Sequence, residues 1–466
     1  MTRTTDLTRL PAAKLRRLMD TDELTPSALV EACLARVEGL NPELNAIVTL
    51  SETALDEARA LEGQVAEGGS RGPLYGLPVG IKDVTEVAGL RTTYGSPMYA
   101  ENVPEDDALV VRRLREAGAI VLGKTNTPEF AAGGNTFNPV FGRTRNPWNP
   151  ALSAGGSTGG GAVGLATGMI AIAEGTDLGG SLRIPASFCG VVGLRPSVGL
   201  VPTYPTAYLW DDLQVTGTMG RTAEDIAIVL DAVSGPSPLS PAVQSVGGRE
   251  FAASVRRGPP RSLRVAYVAD PVGLGIAPDV ARVCRDAAEA LHGAGADVEE
   301  VELDLGYGFD AFLALRGYWM VAHHHRHLRR LDELGENVRG NVEAGLDTTV
   351  EALGAAEQVR GRMWEEFRRL FETYDHLLTP CTAVAPFPVE QDYPETIGGR
   401  EMRSYIDWIA PTFVLSLTGL PVGCVPAGLD GDGLPVGLQI VGRPRSEEAV
   451  LALAGRMQEL RPVGLP

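Results

Sequence analysis

A chain of 466 residues has the material for one large domain or roughly two to three ordinary ones, and with 44% hydrophobic and 21% charged residues it can bury a sizeable core. Its 59 acidic and 41 basic residues give a formal charge of −18, which argues against a nucleic-acid binder and against electrostatic docking on an anionic membrane. No apolar run reads as a membrane span, the Ala/Gly-rich stretch 155–172 being too interrupted. Cys33, Cys189, Cys284, Cys381 and Cys424 are scattered, odd in number and never in a C-x-x-C pair, so a zinc site or disulfide framework is not expected and a cytoplasmic location is. The opening Met-Thr-Arg-Thr-Thr-Asp-Leu shows no secretory signal.

In chain order, residues 1–65 read as an N-terminal helical segment packed on the core. Thr25-Pro26 is an N-cap followed by proline at the first helical position, and Leu29, Val30, Cys33, Leu34 and Val37 form one apolar stripe. A second helix is expected at 51–63. From Gly76 short β-like runs alternate with helices: strand 78–82, helix 106–117, strand 119–123, a tightly packed helix 158–168 and a strand at 170–173. Later strands are expected at 263–268, 298–303, 376–379, 422–427 and 436–441, and helices at 223–233, 278–292, 355–371 and 447–460. There is no fixed-period repeat. This alternation implies an α/β fold with a central sheet. The Pro/Gly/Ser-rich segment 234–260 reads as a loop or linker, although strands on its two sides could join one sheet.

Chemistry concentrates in 154–201, where two glycine-flanked hydroxyl clusters occur, Gly155-Gly156-Ser157-Thr158-Gly159 and Gly179-Gly180-Ser181. Glycines let backbone N–H groups approach a ligand, as an oxyanion site requires. A phosphate cradle fits poorly: no lysine follows the glycines, and no strand precedes them. A glycine-rich helix-packing segment without chemistry remains open at this point. A serine nucleophile needs a base. All six histidines lie at or beyond His292, and Ser181 is followed by Leu182-Arg183 rather than the glycine of a nucleophile elbow, which weakens a histidine triad. Lysine is the alternative base. Lys82 ends the apolar run Gly76-Leu-Pro-Val-Gly-Ile-Lys82, where burial would push its ammonium towards neutrality.

These segments carry a family resemblance. Gly155-Gly-Ser-Thr-Gly-Gly160, Gly175-Thr-Asp-Leu-Gly-Gly-Ser-Leu-Arg-Ile-Pro185 and Cys189-Gly-Val-Val-Gly-Leu-Arg-Pro196 resemble the amidase signature family. Lys82, Ser157 and Ser181, 75 and 24 residues apart, fit its triad spacing. Gly123-Lys-Thr-Asn126, Asn146-Pro-Trp148, Gly419-Leu-Pro-Val-Gly423 and Gly433–Gly442 also look like family landmarks. Departures are Thr158, Leu178, Leu182 and Arg195, where Ser, Thr or Ile, Ile and Lys are frequent; none is a triad position.

The resemblance implies a large mixed central β-sheet covered on both faces by helices, with 66–466 as the signature domain, its signature at about 150–200 and a variable pocket region at about 300–410. It implies an amidase with Ser181 as nucleophile, Ser157 as relay after a cis Gly156–Ser157 peptide, and Lys82 as base. The N–H groups of Leu178, Gly179, Gly180 and Ser181 would form the oxyanion hole, and Gly133, Gly134 and Thr158 would bind substrate. Asp177 and Arg183 are scaffold, Arg183 through a buried ion pair. No metal or cofactor is implied; a small-molecule amide is, with a homodimer admitted because dimers are frequent in the family. The glutaminase component of a tRNA-dependent amidotransferase stays open, although 204–210 and 316–330 lack its tyrosine-rich stretch. So do aryl-acylamidase, esterase and carbamate hydrolase, a catalytically dead binding protein, and a metal site at His323 and His327, for which a basic helix face with Arg326, Arg329 and Arg330 is the simpler reading. Specificity is expected from loops at 130–136, 204–212, 312–320 and 400–408. Their aromatics Tyr204, Tyr208, Trp210, Tyr318, Trp319, Tyr405 and Trp408 suit an apolar or aromatic acyl group.

Overall fold

The strands of the computed structural model, which describes residues 6–243, 245 and 247–466, are β1 (Ile47–Leu50), β2 (Pro78–Lys82), β3 (Ile120–Thr125), β4 (Phe137–Asn138), β5 (Gly142–Arg143), β6 (Ile172–Asp177), β7 (Val192–Arg195), β8 (Val215–Gly220), β9 (Arg264–Tyr267), β10 (Asp297–Glu300), β11 (His376–Pro380), β12 (Thr396–Ile397), β13 (Arg400–Glu401), β14 (Val422–Leu429) and β15 (Pro435–Gly442). The helices are α1 (Ala12–Asp20), α2 (Pro26–Leu44), α3 (Ala54–Ala66), α4 (Leu109–Glu116), α5 (Gly159–Ala166), α6 (Arg183–Cys189), α7 (Ala223–Val233), α8 (Phe251–Arg257), α9 (Pro278–Gly293), α10 (Phe309–His323), α11 (Glu336–Leu346), α12 (Val350–Thr373), α13 (Ala410–Ser416) and α14 (Glu447–Leu460). Residues 1–5, which carry most of the N-terminal stretch read as free of a signal, lie outside the described residues.

Eleven strands make one sheet in the order β1-β3-β2-β6-β8-β7-β14-β15-β11-β9-β10. Pairs β3–β2, β2–β6, β11–β9 and β9–β10 are parallel and the rest antiparallel, so the sheet is mixed. Successive residues of a strand face opposite sides. Accordingly Val265 and Tyr267 enter one apolar cluster while Ala266 enters another; Leu378 and Leu377 divide the same way. The first cluster takes the buried faces of α1, α2, α4, α5, α7, α9 and α14, and the second those of α10, α11, α12 and α13. Helices therefore cover both faces of an α/β sheet, as expected.

Three expectations change. The N-terminal segment is not wholly helical: β1 pairs with β3 and forms one edge of the sheet. Segment 234–260 contains α8, packed on α7 and α14, and strands from both sides of it share the one sheet; Gln244 and Val246 of this segment lie outside the described residues. Strands β7 and β8 are new. Their sequences, VGLR and VTGTMG, hold glycines that weaken a strand pattern. Where the period was clear, the elements sit where the residues place them. Thr25 Oγ1 accepts from Ala28 N–H (3.3 Å) to start α2, and α7 and α14 match their expected bounds.

Helix α5 shows what its glycines are for. A Cβ on Gly160 would fall 2.3 Å from Asn126 N and 2.5 Å from Ala46 O, both backbone atoms that cannot yield. By contrast, Gly39 on the exposed side of α2 has nothing within 4 Å of such a Cβ. Gly160→Ala should lower unfolding free energy by about 1–3 kcal/mol, and Gly39→Ala should raise it by about 0.4–1 kcal/mol. Denaturant melts of the two variants check the opposed signs.

Candidate active site

Neighbouring parallel strands β2 and β6 end on the same side of the sheet, and several of the expected site residues gather there. All five β2 residues are buried, and its last residue is Lys82. Lys82 Nζ lies 2.7 Å from Ser157 Oγ and 3.1 Å from Thr176 Oγ1. Burial pulls its pKa down to about 7, against the opposing pull of the Glu174 and then the Asp177 carboxylates. Glu174 accepts from the Lys82 N–H (3.1 Å) and from Thr85 Oγ1 (3.0 Å), and burial raises its own pKa. A second lysine, Lys124, is equally buried. It donates to Thr85 O and to Thr92 Oγ1, and burial lowers it to about 8 despite Asp83 and Glu174. Asp83 is fixed in turn by Thr93 Oγ1 (2.5 Å).

Ser157 follows a cis Gly156–Ser157 peptide and is fully buried. Thr136 Oγ1 holds the loop before α5 from both ends: it donates to Gly155 O (2.8 Å) and accepts from Gly159 N–H (3.2 Å). The N–H of Thr158 donates to Ser181 O (3.2 Å), tying the two hydroxyl clusters together. Ser181 sits in the turn between β6 and α6. Asp177 organises that turn. Its carboxylate accepts from Gly180 N–H (2.9 Å), Leu182 N–H (3.1 Å), Arg183 Nε (3.0 Å) and Arg183 Nη2 (2.9 Å). Arg195 stands 3.4 Å away. Burial alone would raise Asp177, but the two arginines hold it well below the usual carboxylate range. Arg183 continues to Thr412 O (2.8 Å), Ser416 Oγ (2.7 Å) and Gln439 Oε1 (2.9 Å), which anchors the turn on α13 and β15. It thus makes the buried ion pair expected of it, and both partners are fully buried.

Ser157, Ser181, Thr176, Gly179 and Gly133 border one cleft of about 30 Å³. It shares Phe130, Ala131, Thr176, Gln214 and Trp319 with an adjoining cavity of about 320 Å³. Leu178, Gly179 and Ser181 line the cleft, but Gly180 does not, and its N–H is committed to Asp177. Of the expected substrate positions, Gly133 lies on the lining. Gly134 lies under the Trp408 indole, where a Cβ would fall 2.6 Å from the ring. Thr158 is buried beneath the cleft against Gly175.

Other residues at the site include Phe130 and Ala131, from a segment expected to set specificity, and Tyr94, which carries no signal in the local sequence. Phe130, Ala131 and Tyr94 hold left-handed backbones (φ 47°, 60° and 55°). Such conformations cost of order 1–3 kcal/mol at a non-glycine residue and cluster at functional sites. The 312–320 segment is part of α10 rather than a loop, and from it Arg316, Trp319 and Met320 reach the cleft. Trp319 and Tyr405 line the cleft, whereas Trp408 is core and Trp210 is 69% exposed. The arginines of the expected basic face, Arg326, Arg329 and Arg330, are exposed, but they follow the end of α10 at His323 rather than lying on it; His324 and His327 beside them are buried and border the cavity. His323 Nδ1 lies 3.2 Å from Trp319 O and His327 Nε2 lies 2.8 Å from Tyr99 OH, so both candidate ligands are occupied by protein groups.

This geometry has counterparts among known proteins. The family model described as Amidase matches residues 28–451. The chain belongs to the amidase signature family. It is an amidase, a hydrolase acting on amide C–N bonds. It is 37% identical to an acylamidase of Rhodococcus erythropolis, over 97% of this chain and 96% of that one. It is 33% identical to the A component of the glutamyl-tRNA(Gln) amidotransferase of Roseiflexus castenholzii, over 98% and 96%. The crystal structure of a bacterial aryl acylamidase superposes with a TM-score of 0.90 at 27% identity, covering 97% of this chain and 96% of that chain. Among the described residues no helix is long and apolar enough to cross a membrane.

Replacing Asp177 by the isosteric Asn would leave Arg183 and Arg195 buried without their anion. Removing one partner of a buried pair costs about 3–5 kcal/mol, which for a chain of this length is a fall of about 3–5 °C in melting temperature. Scanning calorimetry of Asp177→Asn checks it.

Proposed function

We propose that this amidase cleaves small carboxylic amides to acid and amine through an acyl-enzyme on Ser181. The observation that carries the reading is the 2.7 Å contact between Lys82 Nζ and Ser157 Oγ in a fully buried site. A lysine held near pKa 7 is part neutral at physiological pH and can accept a proton. Ser181 Oγ attacks the carbonyl carbon; its proton passes to Ser157 Oγ while the Ser157 proton passes to Lys82 Nζ. The charge on the carbonyl oxygen is met by N–H groups of the 178–181 turn. Leu178, Gly179 and Ser181 are the donors on the cleft, since the Gly180 N–H already serves Asp177. Collapse returns a proton along the relay to the leaving nitrogen, and the C–N bond breaks. Water then attacks the acyl-enzyme with the same relay as base, releasing the acid. The chain takes its substrate alone in this reading, with no metal or cofactor step.

Likeness to the A component of the amidotransferase supports a second substrate, glutamine, handled by the same residues. Likeness to the acylamidase supports N-acyl amides, and likeness to the bacterial aryl acylamidase supports aryl amides. Comparing kcat/KM for glutamine with that for simple acyl and aryl amides, using the chain without partners, decides between them.

Ser181→Ala should lose at least about 10⁴-fold in turnover of any such amide; near wild-type turnover would refute the nucleophile. For the wild type, kcat/KM should rise with pH through about 7 as Lys82 deprotonates. Glu174 favours the ammonium, so Glu174→Gln should move that limb to lower pH, and a pH–rate profile reads the shift. Lys82→Ala should lose about 10²–10⁴-fold and flatten the limb.

A further inference from the structure

Aromatic rings wall the 320 Å³ cavity that adjoins the cleft. Phe130 stacks on Tyr94 (centroids 5.8 Å apart) and meets His324 at right angles (4.8 Å). Trp319 stacks on His323 (3.8 Å). The space suits one flat ring with a substituent. Its charged groups are engaged or outward: Glu86 accepts from Tyr94 OH (2.6 Å), and exposed Arg326 lies over the Tyr99 ring (5.7 Å).

One polar chain runs into this wall. Tyr99 OH lies 2.8 Å from His327 Nε2, and His327 Nδ1 lies 3.2 Å from His324 Nδ1. Two imidazole nitrogens that close share a single proton, so one ring donates and the other accepts. If His324 Nδ1 holds the proton, His327 donates from Nε2 to Tyr99, and His324 Nε2 is a bare acceptor. If His327 Nδ1 holds it, Tyr99 O–H donates to His327 Nε2, and His324 presents an Nε2–H. Reversing the chain thus inverts His324 Nε2 without adding charge. Burial keeps His323 and His324 neutral, with pKa values down to about 4 and about 3. His324 is only 4% exposed and borders the cavity, yet its Nε2 has no partner among the described residues. A ring nitrogen that borders the cavity without a protein partner can take its hydrogen bond from a bound molecule.

We propose that the cavity receives an uncharged aromatic ring of the amide substrate and that His324 Nε2 hydrogen-bonds a hydroxyl, ether or carbonyl oxygen carried on that ring. The proposal rests on the reading of Ser181 as nucleophile, because the cavity matters to substrate only through the cleft it adjoins. His324 is a specificity residue in it, and the reversible chain lets it serve a donating or an accepting substituent.

Two substrate series test the proposal, phenylacetamides for a ring on the acyl side and acetanilides for a ring on the amine side. Each includes the unsubstituted, para-hydroxy and para-carboxylate compounds. In one series the wild type should prefer para-hydroxy over unsubstituted by about tenfold in kcat/KM. In His324→Phe that ratio should fall to about one. The ratio is taken within one preparation, so a reduced active fraction cannot imitate the result. An unchanged ratio in His324→Phe, or no preference in either series for the wild type, would overturn the proposal. So would a preference for the para-carboxylate, which would assign the cavity to an anion at Arg326. Failure of the nucleophile reading is separate: it shows as turnover of all the compounds by Ser181→Ala.

Discussion

The carboxylate of Asp177 is the constraint from which the active edge of the sheet is built. It ends β6 and receives two backbone N–H groups from the turn that follows, those of Gly180 and Leu182. It also receives the fork of Arg183. Burying a carboxylate without partners would be prohibitive. Here four donors and a second arginine compensate, and Arg183 passes the load to α13 and β15. The turn carrying Ser181 is therefore held by three separate parts of the chain. In the proposed reaction a serine so fixed would lose little freedom on meeting a substrate, and positional fixity of this kind is itself a large share of catalysis.

A second buried charge system lies one strand away and works differently. Lys82 and Lys124 share Glu174, and Lys124 also faces Asp83. Around Asp177 the charges are saturated, so the group stays ionised. Around Lys82 burial outweighs the nearby anions, so the ammonium is poised near neutrality. The same side of the sheet thus holds a permanent anion that fixes geometry and a titratable cation to which the proposed reaction gives the proton transfer, on neighbouring strands. Environment alone separates the two roles.

The cleft and its adjoining cavity come from different parts of the fold. Signature residues of 155–181 supply the hydroxyls and the turn, whereas Phe130 and Ala131, the 204–214 loop and α10 supply the wall. The wall accepts left-handed backbone at Tyr94, Phe130 and Ala131 to place its rings. The hydroxyl-bearing turn and the cavity wall are thus supplied by separable segments, so in the proposed reading the wall can vary without disturbing the relay.

Local sequence was enough for several features. Period with a capping residue set α2 and α7, period alone set α14, and β2 ends at Lys82 where its apolar run ends. The triad candidates were legible because their glycine and hydroxyl pattern is dense and local, and because histidine is absent near it. Other features were decided only by the folded chain. Glycine-bearing β7 and β8 are strands because neighbours on both sides supply the pairing their own residues do not advertise. β1 leaves a helical region for the sheet edge because β3 offers it a partner. The exposed arginines of 326–330 were legible in the sequence, but the burial of His324 and His327 among them was not, because exposure depends on how the chain after α10 packs and not on its composition. Likewise Gly180, Gly134 and Thr158 resemble site residues by position, yet the first gives its N–H to Asp177, the second supports Trp408 and the third packs under the cleft. Sequence by itself determined which chemical groups are present and where the short-range elements run. Tertiary structure decided which groups meet, which are dehydrated and which are already occupied, because pairing and burial depend on segments hundreds of residues apart.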